Sequence, residues 1–226
     1  MRYHQGRVIS NQPKEIMMDA YLRVTEIIDW QHPDVLAHAA RLKSGSPLET
    51  ARRCFEWVRD EIRHSYDYKL NPVTCSASEV LRAGTGYCYA KSHLLAALLR
   101  ANGLPAGLCY QRLTAYEEGQ YSLHGLNAVH LPQFGWYRID ARGNKPGVDA
   151  QFTPPVERLA FQVDAAGEID FDAILSDPLP GVVVALRSQH SWEGVSTHLP
   201  DVRPGVELEM LVGKSPQKKP LLPTDL

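Results

Sequence analysis

Three residues have the types and the order to make and break an acyl bond: Cys88, His124 and Asp140. Cys88 ends the run Gly84-Thr85-Gly86-Tyr87 and heads a long apolar stretch. A cysteine on a helix N-terminus meets unpaired N–H groups and the positive end of the dipole, which favour a thiolate. The two glycines are expected to let a substrate approach the backbone. A thiol nucleophile needs a base within hydrogen-bond reach, and the base needs an orienting acceptor. His124 opens Leu123-His124-Gly125-Leu126-Asn127-Ala128-Val129, and Asp140 closes Gly135-Trp136-Tyr137-Arg138-Ile139-Asp140. If these are antiparallel neighbours joined at Pro132-Gln133, His124 and Asp140 lie at matching ends and can pair. Each residue also has a simpler use. Most free cysteines are small buried hydrophobes, a lone strand histidine is more often structural, and an aspartate at a strand end is often a turn residue. Spacing alone leaves both readings open.

The elements that must position these residues follow from periodicity and punctuation. His32-Pro33-Asp34 reads as a helix entry, with the helix running to about Lys43. Ser46-Pro47-Leu48-Glu49 reads as a capping box, followed by Leu48, Ala51, Phe55, Val58 and Ile62 on one helical face. Ser65 to Pro72 reads as an aromatic loop. Ser76-Ala77-Ser78-Glu79 is a second capping box, opening a short helix that stops at Gly84. The helix from Cys88 is apolar almost all round and is expected to be buried. From Ala106 the period becomes two. Strands are expected at 106–116, 121–131 and 134–140, another candidate at 157–163, and 182–186 as strand or core packing. Helices first and strands after favour α+β. The expected division is a lead-in over 1–45, a catalytic core over 46–164, an extension packed on the core over 165–200, and a low-structure tail over 201–226.

Composition narrows the function classes. The chain has 226 residues, a net charge of −2, 44% hydrophobic and 22% charged residues. There is no basic stripe, so nucleic acid is not an expected partner. No apolar run has the length of a membrane helix, so no membrane partner is expected. The first residues lack the apolar core of a signal peptide, and the expected location is cytoplasmic. Cys54, Cys75, Cys88 and Cys109 contain no C-x-x-C pair, which disfavours structural zinc, and they are expected to be thiols rather than disulfides.

The stretch from Cys54 to Asn144 resembles the transglutaminase-like superfamily, whose members share a papain-like core with a Cys-His-Asp triad in this chain order. Gly86-Tyr87-Cys88-Tyr89-Ala90-Lys91, followed by Leu98 to Ala106, resembles the family's nucleophile helix and its exit. His124-Gly125-Leu126-Asn127-Ala128-Val129 resembles the strand that usually opens with His-Ala-Trp, and Gly135 to Asp140 resembles the strand bearing the aspartate. Val58 to Ile62 and Ala77 to Leu81 match the family's bacterial branch. Two departures bear on the substrate. Gly125-Leu126 stands where Ala-Trp is usual, which is expected to open the wall beside His124, and Ala141-Arg142-Gly143 stands where many relatives have Pro-Thr or Pro-Asn.

The resemblance implies an α+β papain/transglutaminase-like core, with the nucleophile helix packed on an antiparallel sheet. It implies Cys88 as nucleophile, His124 as base and Asp140 as orienter. The expected reaction is hydrolysis of peptide or amide bonds in a protein or peptide substrate through a Cys88 thioester, with no cofactor. An amine-accepting crosslinker and a non-catalytic binding module are the alternatives. An arylamine acetyltransferase-like enzyme uses the same triad, but no Arg-Gly-Gly precedes Cys88. The Cys88 N–H is one natural oxyanion donor. Tyr66, Tyr68, Tyr87 and Asn127 are the candidates for a second donor or substrate contact, with plain packing as their simpler use. His130 shares strand parity with His124 but lies at the far end from Asp140, and reads as surface. His93 is expected to make a structural hydrogen bond. Asp170, Asp172 and Asp177 lack EF-hand spacing and read as a solvated acidic loop, so no metal site is expected.

Overall fold

The structure, a computed structural model, describes residues 18–115 and 119–212. The expectations for the first residues, for the end of the strand at Tyr116 and for much of the final tail fall outside that range. The described chain begins with a 3-10 turn at Ala20–Leu22. Helix α1 is Pro33–Leu42 and α2 is Pro47–Glu61, each with proline in its first turn. Ser46 Oγ accepts the Glu49 N–H at 3.2 Å. The reciprocal half of that box is not formed. The Glu49 carboxylate instead accepts from Arg52 and Arg53, which lie on the same helix face.

Strand β1 is Arg63–His64, and α3, Ser65–Tyr68, is one helical turn inside the segment expected to be loop. It closes on Lys69 in the left-handed region, while the Leu70 N–H returns to Ser65 O at 2.9 Å. Helix α4, Ala77–Ala83, has a complete Ser76/Glu79 capping box and ends at Gly84 with φ 65°. Strand β2, Thr85–Gly86, pairs parallel to β1 and leads into α5, Cys88–Ala101.

Four antiparallel strands follow in the spatial order β5-β4-β3-β6: β3 Ala106–Thr114, β4 Tyr121–Leu131, β5 Gly135–Ile139 and β6 Ile169–Asp170. The fourth strand thus comes from the region expected to be an extension. The candidate strand at 157–163 is not formed. It has only an isolated bridge, Gln151 to Arg158, and the Ala160 N–H is drawn to a carboxylate instead. Residues 182–186 belong to a helix, α6, Pro180–Arg187, started by the proline in its first turn. Short helices α7, Trp192–Ser196, and α8, Leu208–Leu211, complete the described chain, the latter inside the expected low-structure tail.

Helix α5 is the middle of the molecule. Helices α1, α2 and α4 pack on one side of it, and strands β3 and β4 on the other. Every residue from Cys88 to Arg100 is buried. Leu94, Leu95, Leu98 and Leu99 are fully buried, each worth about 2 kcal/mol of transfer free energy. Its polar residues reach for carbonyls, although His93 Nε2 is left buried without a partner among the described residues. His93 Nδ1 meets Cys75 O at 2.8 Å, and Arg100 donates to Ala106 O, Arg23 O and Ser176 O. Lys91 Nζ donates to Arg59 O and Ile62 O, at the end of α2, which fixes that helix end against α5. The helix that carries Cys88 is therefore held rigidly along its whole length.

Candidate active site

Cys88 sits at the tip of α5, which has no side-chain N-cap, so its first-turn N–H groups face the site. The two glycines before it do not serve substrate approach. Gly84 terminates α4 in the left-handed region. A Cβ at Gly86 would lie 3.1 Å from Ala90 Cβ and 3.2 Å from Thr74 Oγ1, so packing fills that space. Ser92 Oγ donates to Cys88 O at 2.8 Å. Asn127 Nδ2 donates to Ser92 O at 2.9 Å and to Gly107 O at 3.2 Å. Asn127, expected near the substrate, is fully buried between helix and sheet, where it pins α5 to β3.

The end of β5 exposes the edge of β4 that Cys88 meets. β5 pairs only with Asn127 to Leu131, so the N–H groups nearer the start of β4 are free of it. The Gly125 N–H donates to Cys88 Sγ at 3.5 Å. Gly125 is what lets the helix tip approach so closely. A Cβ there would sit 2.9 Å from Tyr89 Cδ1 and 3.2 Å from Tyr89 Cα. The wall beside His124 is consequently not open, as the departure from Ala-Trp implied. The Tyr89 ring fills it, with its hydroxyl donating to Leu123 O.

His124 Nε2 and Asp140 Oδ2 are 2.7 Å apart, with both side chains buried. Asp140 is held by two further donors, Arg142 N–H on Oδ1 and Ala160 N–H on Oδ2, each at 3.1 Å. These contacts hold the Asp140 carboxyl below its usual range despite its burial. Burial disfavours the His124 imidazolium, but Asp140 and Cys88 outweigh it and raise the group to about 10. With Nε2 committed to Asp140, Nδ1 is the nitrogen left for the sulfur. The Phe161 ring stands edge-on to His124, with centroids 4.9 Å apart, and limits its rotation.

A cavity of about 310 Å³ opens over Cys88 and His124, walled by Tyr87, Leu123, Phe161 and Leu199 among others. The C-terminal segment closes one side. The Leu123 N–H donates to Pro200 O at 2.8 Å, and Arg112 holds Asp201 through two contacts of 2.7 and 2.8 Å. Tyr87 lines this cavity, and its hydroxyl donates to Trp192 O at 2.6 Å. Tyr66 packs edge-on to Trp192, and Tyr68 is exposed beside Arg63. Neither tyrosine lines the Cys88 cavity. His130 stands edge-on to Trp136 at the opposite end of β4.

Four residues at the site were not singled out by their sequence: His64, Asp67, Arg142 and Phe161. The parallel pairing of His64 with Gly86 brings His64 beside the approach to Cys88. His64 is buried edge-on to Tyr87, and its Nδ1 lies 3.6 Å from Asp67 Oδ2. Asp67 accepts from Arg142 at 2.7 and 3.1 Å and from Lys145 at 2.7 Å. Burial opposes the Asp67 carboxylate, but these cations pull it down to about 2. His64 is pushed well below its ordinary value, first by burial and then by Arg142. No periodic signal marks the His64 pair, which depends on the two-residue contact between β1 and β2. A second cavity, of about 370 Å³, adjoins the first and shares His64 and Lys145 with it.

Cys54, Cys75 and Cys109 are buried thiols, raised by burial to about 12, 11 and 12. Asp170 pairs with Arg138 and Asp177 with Arg23. Among the described residues no group of three or more His, Cys, Asp or Glu could hold a metal ion, and no helix is long and apolar enough to cross a membrane.

A comparison with curated proteins finds no match. Among solved structures, a candidate cysteine protease from Cytophaga hutchinsonii is 16% identical, with 56% of this chain and 42% of that one covered and a TM-score of 0.45. The periplasmic domain of TgpA from Pseudomonas aeruginosa is 19% identical, with 56% and 47% covered and a TM-score of 0.44. This chain spans less than half the length of either. Residues 36–141 match the core of the transglutaminase-like superfamily, a span that contains Cys88, His124 and Asp140. That core is what the chain shares with the transglutaminase-like superfamily.

Proposed function

We propose that the protein is a cysteine acyl-transfer enzyme that hydrolyses a peptide or amide bond through a Cys88 thioester. The observation that carries this reading is the 2.7 Å contact between the buried His124 and Asp140 beside the Cys88 sulfur. The raised His124 stands as an imidazolium at neutral pH beside the Cys88 sulfur, the partner for a thiolate. The sulfur attacks the carbonyl carbon, with the Cys88 N–H at the helix tip as oxyanion donor. His124 then gives its proton to the departing amine, and the thioester remains. Water adds to the thioester, His124 takes a proton from it, and the sulfur leaves. Asp140 holds the ring in one tautomer throughout.

Water is favoured over a lysine amine by the charge around the site. The adjoining cavity carries Arg59, Arg63 and Lys145 against Asp60 and Asp67, with Lys91 lowered by burial to about 7. A lysine ammonium would enter against an excess of like charge.

Iodoacetamide tests the nucleophile. Cys88 should be labelled at least about a hundredfold faster than Cys54, Cys75 or Cys109, whose thiols are buried and raised. Equal labelling rates in the folded protein would overturn the assignment. Incubation of peptide pools with and without a primary amine, read by mass, tests the acceptor. Amine incorporation without cleavage would replace the hydrolase with a crosslinker.

A further inference from the structure

His64 is a buried imidazole that the acyl-transfer sequence above does not use. It lines the cavity over Cys88 and the cavity that adjoins it. Its Nδ1 is buried, has no hydrogen-bond partner among the described residues, and lies 3.6 Å from Asp67 Oδ2. The facing carboxylate is fixed in place by Arg142 and Lys145. A carboxylate facing one ring nitrogen favours the tautomer with its hydrogen there. Nε2, on the opposite ring edge, then carries the lone pair of a ring that lines both cavities. A neutral imidazole with a free lone pair is a hydrogen-bond acceptor and cannot serve as an oxyanion donor.

We infer that His64 positions the acceptor water for attack on the Cys88 thioester, through a hydrogen bond from that water to Nε2. The inference rests on the acyl-transfer reading above. A water molecule has two hydrogens, and a single imidazole fixes only one. In this arrangement His124 receives one hydrogen as a proton while His64 Nε2 holds the other. The water oxygen forms its bond to the acyl carbon, the carbon–sulfur bond breaks, and the electron pair returns to Cys88 sulfur. The transferred proton rests on His124, which restores the thiolate–imidazolium pair, and the acid product leaves with the hydrogen that His64 held. His64 therefore acts in the second half-reaction only, because no acceptor water takes part in the first. Asp67 is a positioning residue that acts through His64.

The two half-reactions separate with p-nitrophenyl acetate, whose burst of p-nitrophenolate reads acylation and whose steady phase reads deacylation. In His64→Phe the burst rate should stay within about twofold of the parent, and the steady rate should fall about tenfold or more, with the acetylated protein accumulating at Cys88. His64→Gln, which keeps an acceptor oxygen, should recover part of the steady rate. Asp67→Asn should slow the steady phase by less than His64→Phe and spare the burst, and it carries the test if His64→Phe fails to fold. A steady rate unchanged in these variants, or a burst that falls in equal measure, would overturn the role of His64. A parent protein that shows no burst on Cys88 would overturn the acyl-transfer reading, and this inference with it.

Discussion

The molecule contains two histidine–aspartate pairs near one sulfur, and they are built to opposite ends. His124 and Asp140 touch at 2.7 Å, and the carboxylate's other partners are neutral backbone N–H groups. The charge of Asp140 is left for the imidazole, and the ring is raised to about 10. His64 and Asp67 stand 3.6 Å apart, and Asp67 is already committed to Arg142 and Lys145. Burial, and then the Arg142 charge, hold His64 neutral, and Asp67 at this distance does not overcome them. The same two residue types give an imidazolium in one place and a neutral ring in the other. Both rings are buried, so the difference lies in how closely the carboxylate approaches and what else it holds.

The largest expected effect is at the tight pair. Asp140→Asn keeps the shape but removes the charge and permits the wrong ring tautomer. Acylation of Cys88 should fall by about 10³-fold or more, read as the iodoacetamide or ester burst rate. A loss below tenfold would mean that the His124–Asp140 contact is structural.

Next comes Gly125→Ala. The added methyl meets both the ring and the backbone of Tyr89, so the tip of α5 must move away from β4. Overpacking of this kind costs about 1–3 kcal/mol. The urea midpoint should drop, and Cys88 labelling should slow because its sulfur shifts from His124. A stability loss with unchanged labelling would show that the helix tip tolerates displacement.

The pH dependence of stability separates the pairs by sign. His64 and His93 are both depressed by burial, His93 to about 4. The unfolded chain binds their protons first, so their contribution is full above about pH 6.5 and lost as pH falls, about 3 kcal/mol for His93 by pH 4. His124 is raised, so its contribution is full below about pH 6.5 and lost as pH rises towards about 10. Lys91, lowered by burial to about 7, acts with the opposite sign: its contribution grows from about pH 7 upward and offsets the His124 loss. The His124 part is therefore read as a difference: between about pH 7 and about pH 9 the urea midpoint of Asp140→Asn should rise relative to that of the parent, while the acid decline is shared. Parallel midpoint curves for the two proteins would break the contrast.

The smallest effect is expected from Lys145→Gln. Its ammonium is partly exposed and contributes less than about 1 kcal/mol to stability. It does release one partner of Asp67. His64, followed by its imidazole proton resonances, should titrate at a higher pH than in the parent. An unchanged titration would assign its neutrality to burial and Arg142.

What the sequence made legible divides along the same lines. The capped helices, the helix that carries Cys88 and the longer strands β3, β4 and β5 are written in local periodicity and turn residues, and the hairpin at Pro132-Gln133 is enough to bring His124 and Asp140 to the same end of β4 and β5. The His64 pair was not legible, because it depends on a two-residue parallel contact between Arg63-His64 and Thr85-Gly86 that carries no periodic signal. Lys91 gave a signal that went unread: a lysine in an otherwise apolar helix must find oxygens, and it finds those ending α2. Residues 157–163 look strand-like by composition, yet Ala160 and Phe161 are spent on Asp140 and His124. The proline that starts α6 was present at Pro180, but the valine run after it argued for a strand.

One small feature sets how a substrate can be read. The edge of β4 beyond the end of β5 offers two inner N–H groups in the same direction, and both are occupied: Leu123 by Pro200 O, and Gly125 by the Cys88 sulfur. An extended peptide cannot add itself to the sheet there as one more strand, which is how many peptide-binding proteins obtain affinity without regard to side chains. On the acyl-transfer reading proposed above, recognition would pass instead to the walls of a compact chamber formed by Tyr87, Phe161 and Leu199. Selectivity would then follow the size and shape of the acyl group more than the length of the chain attached to it.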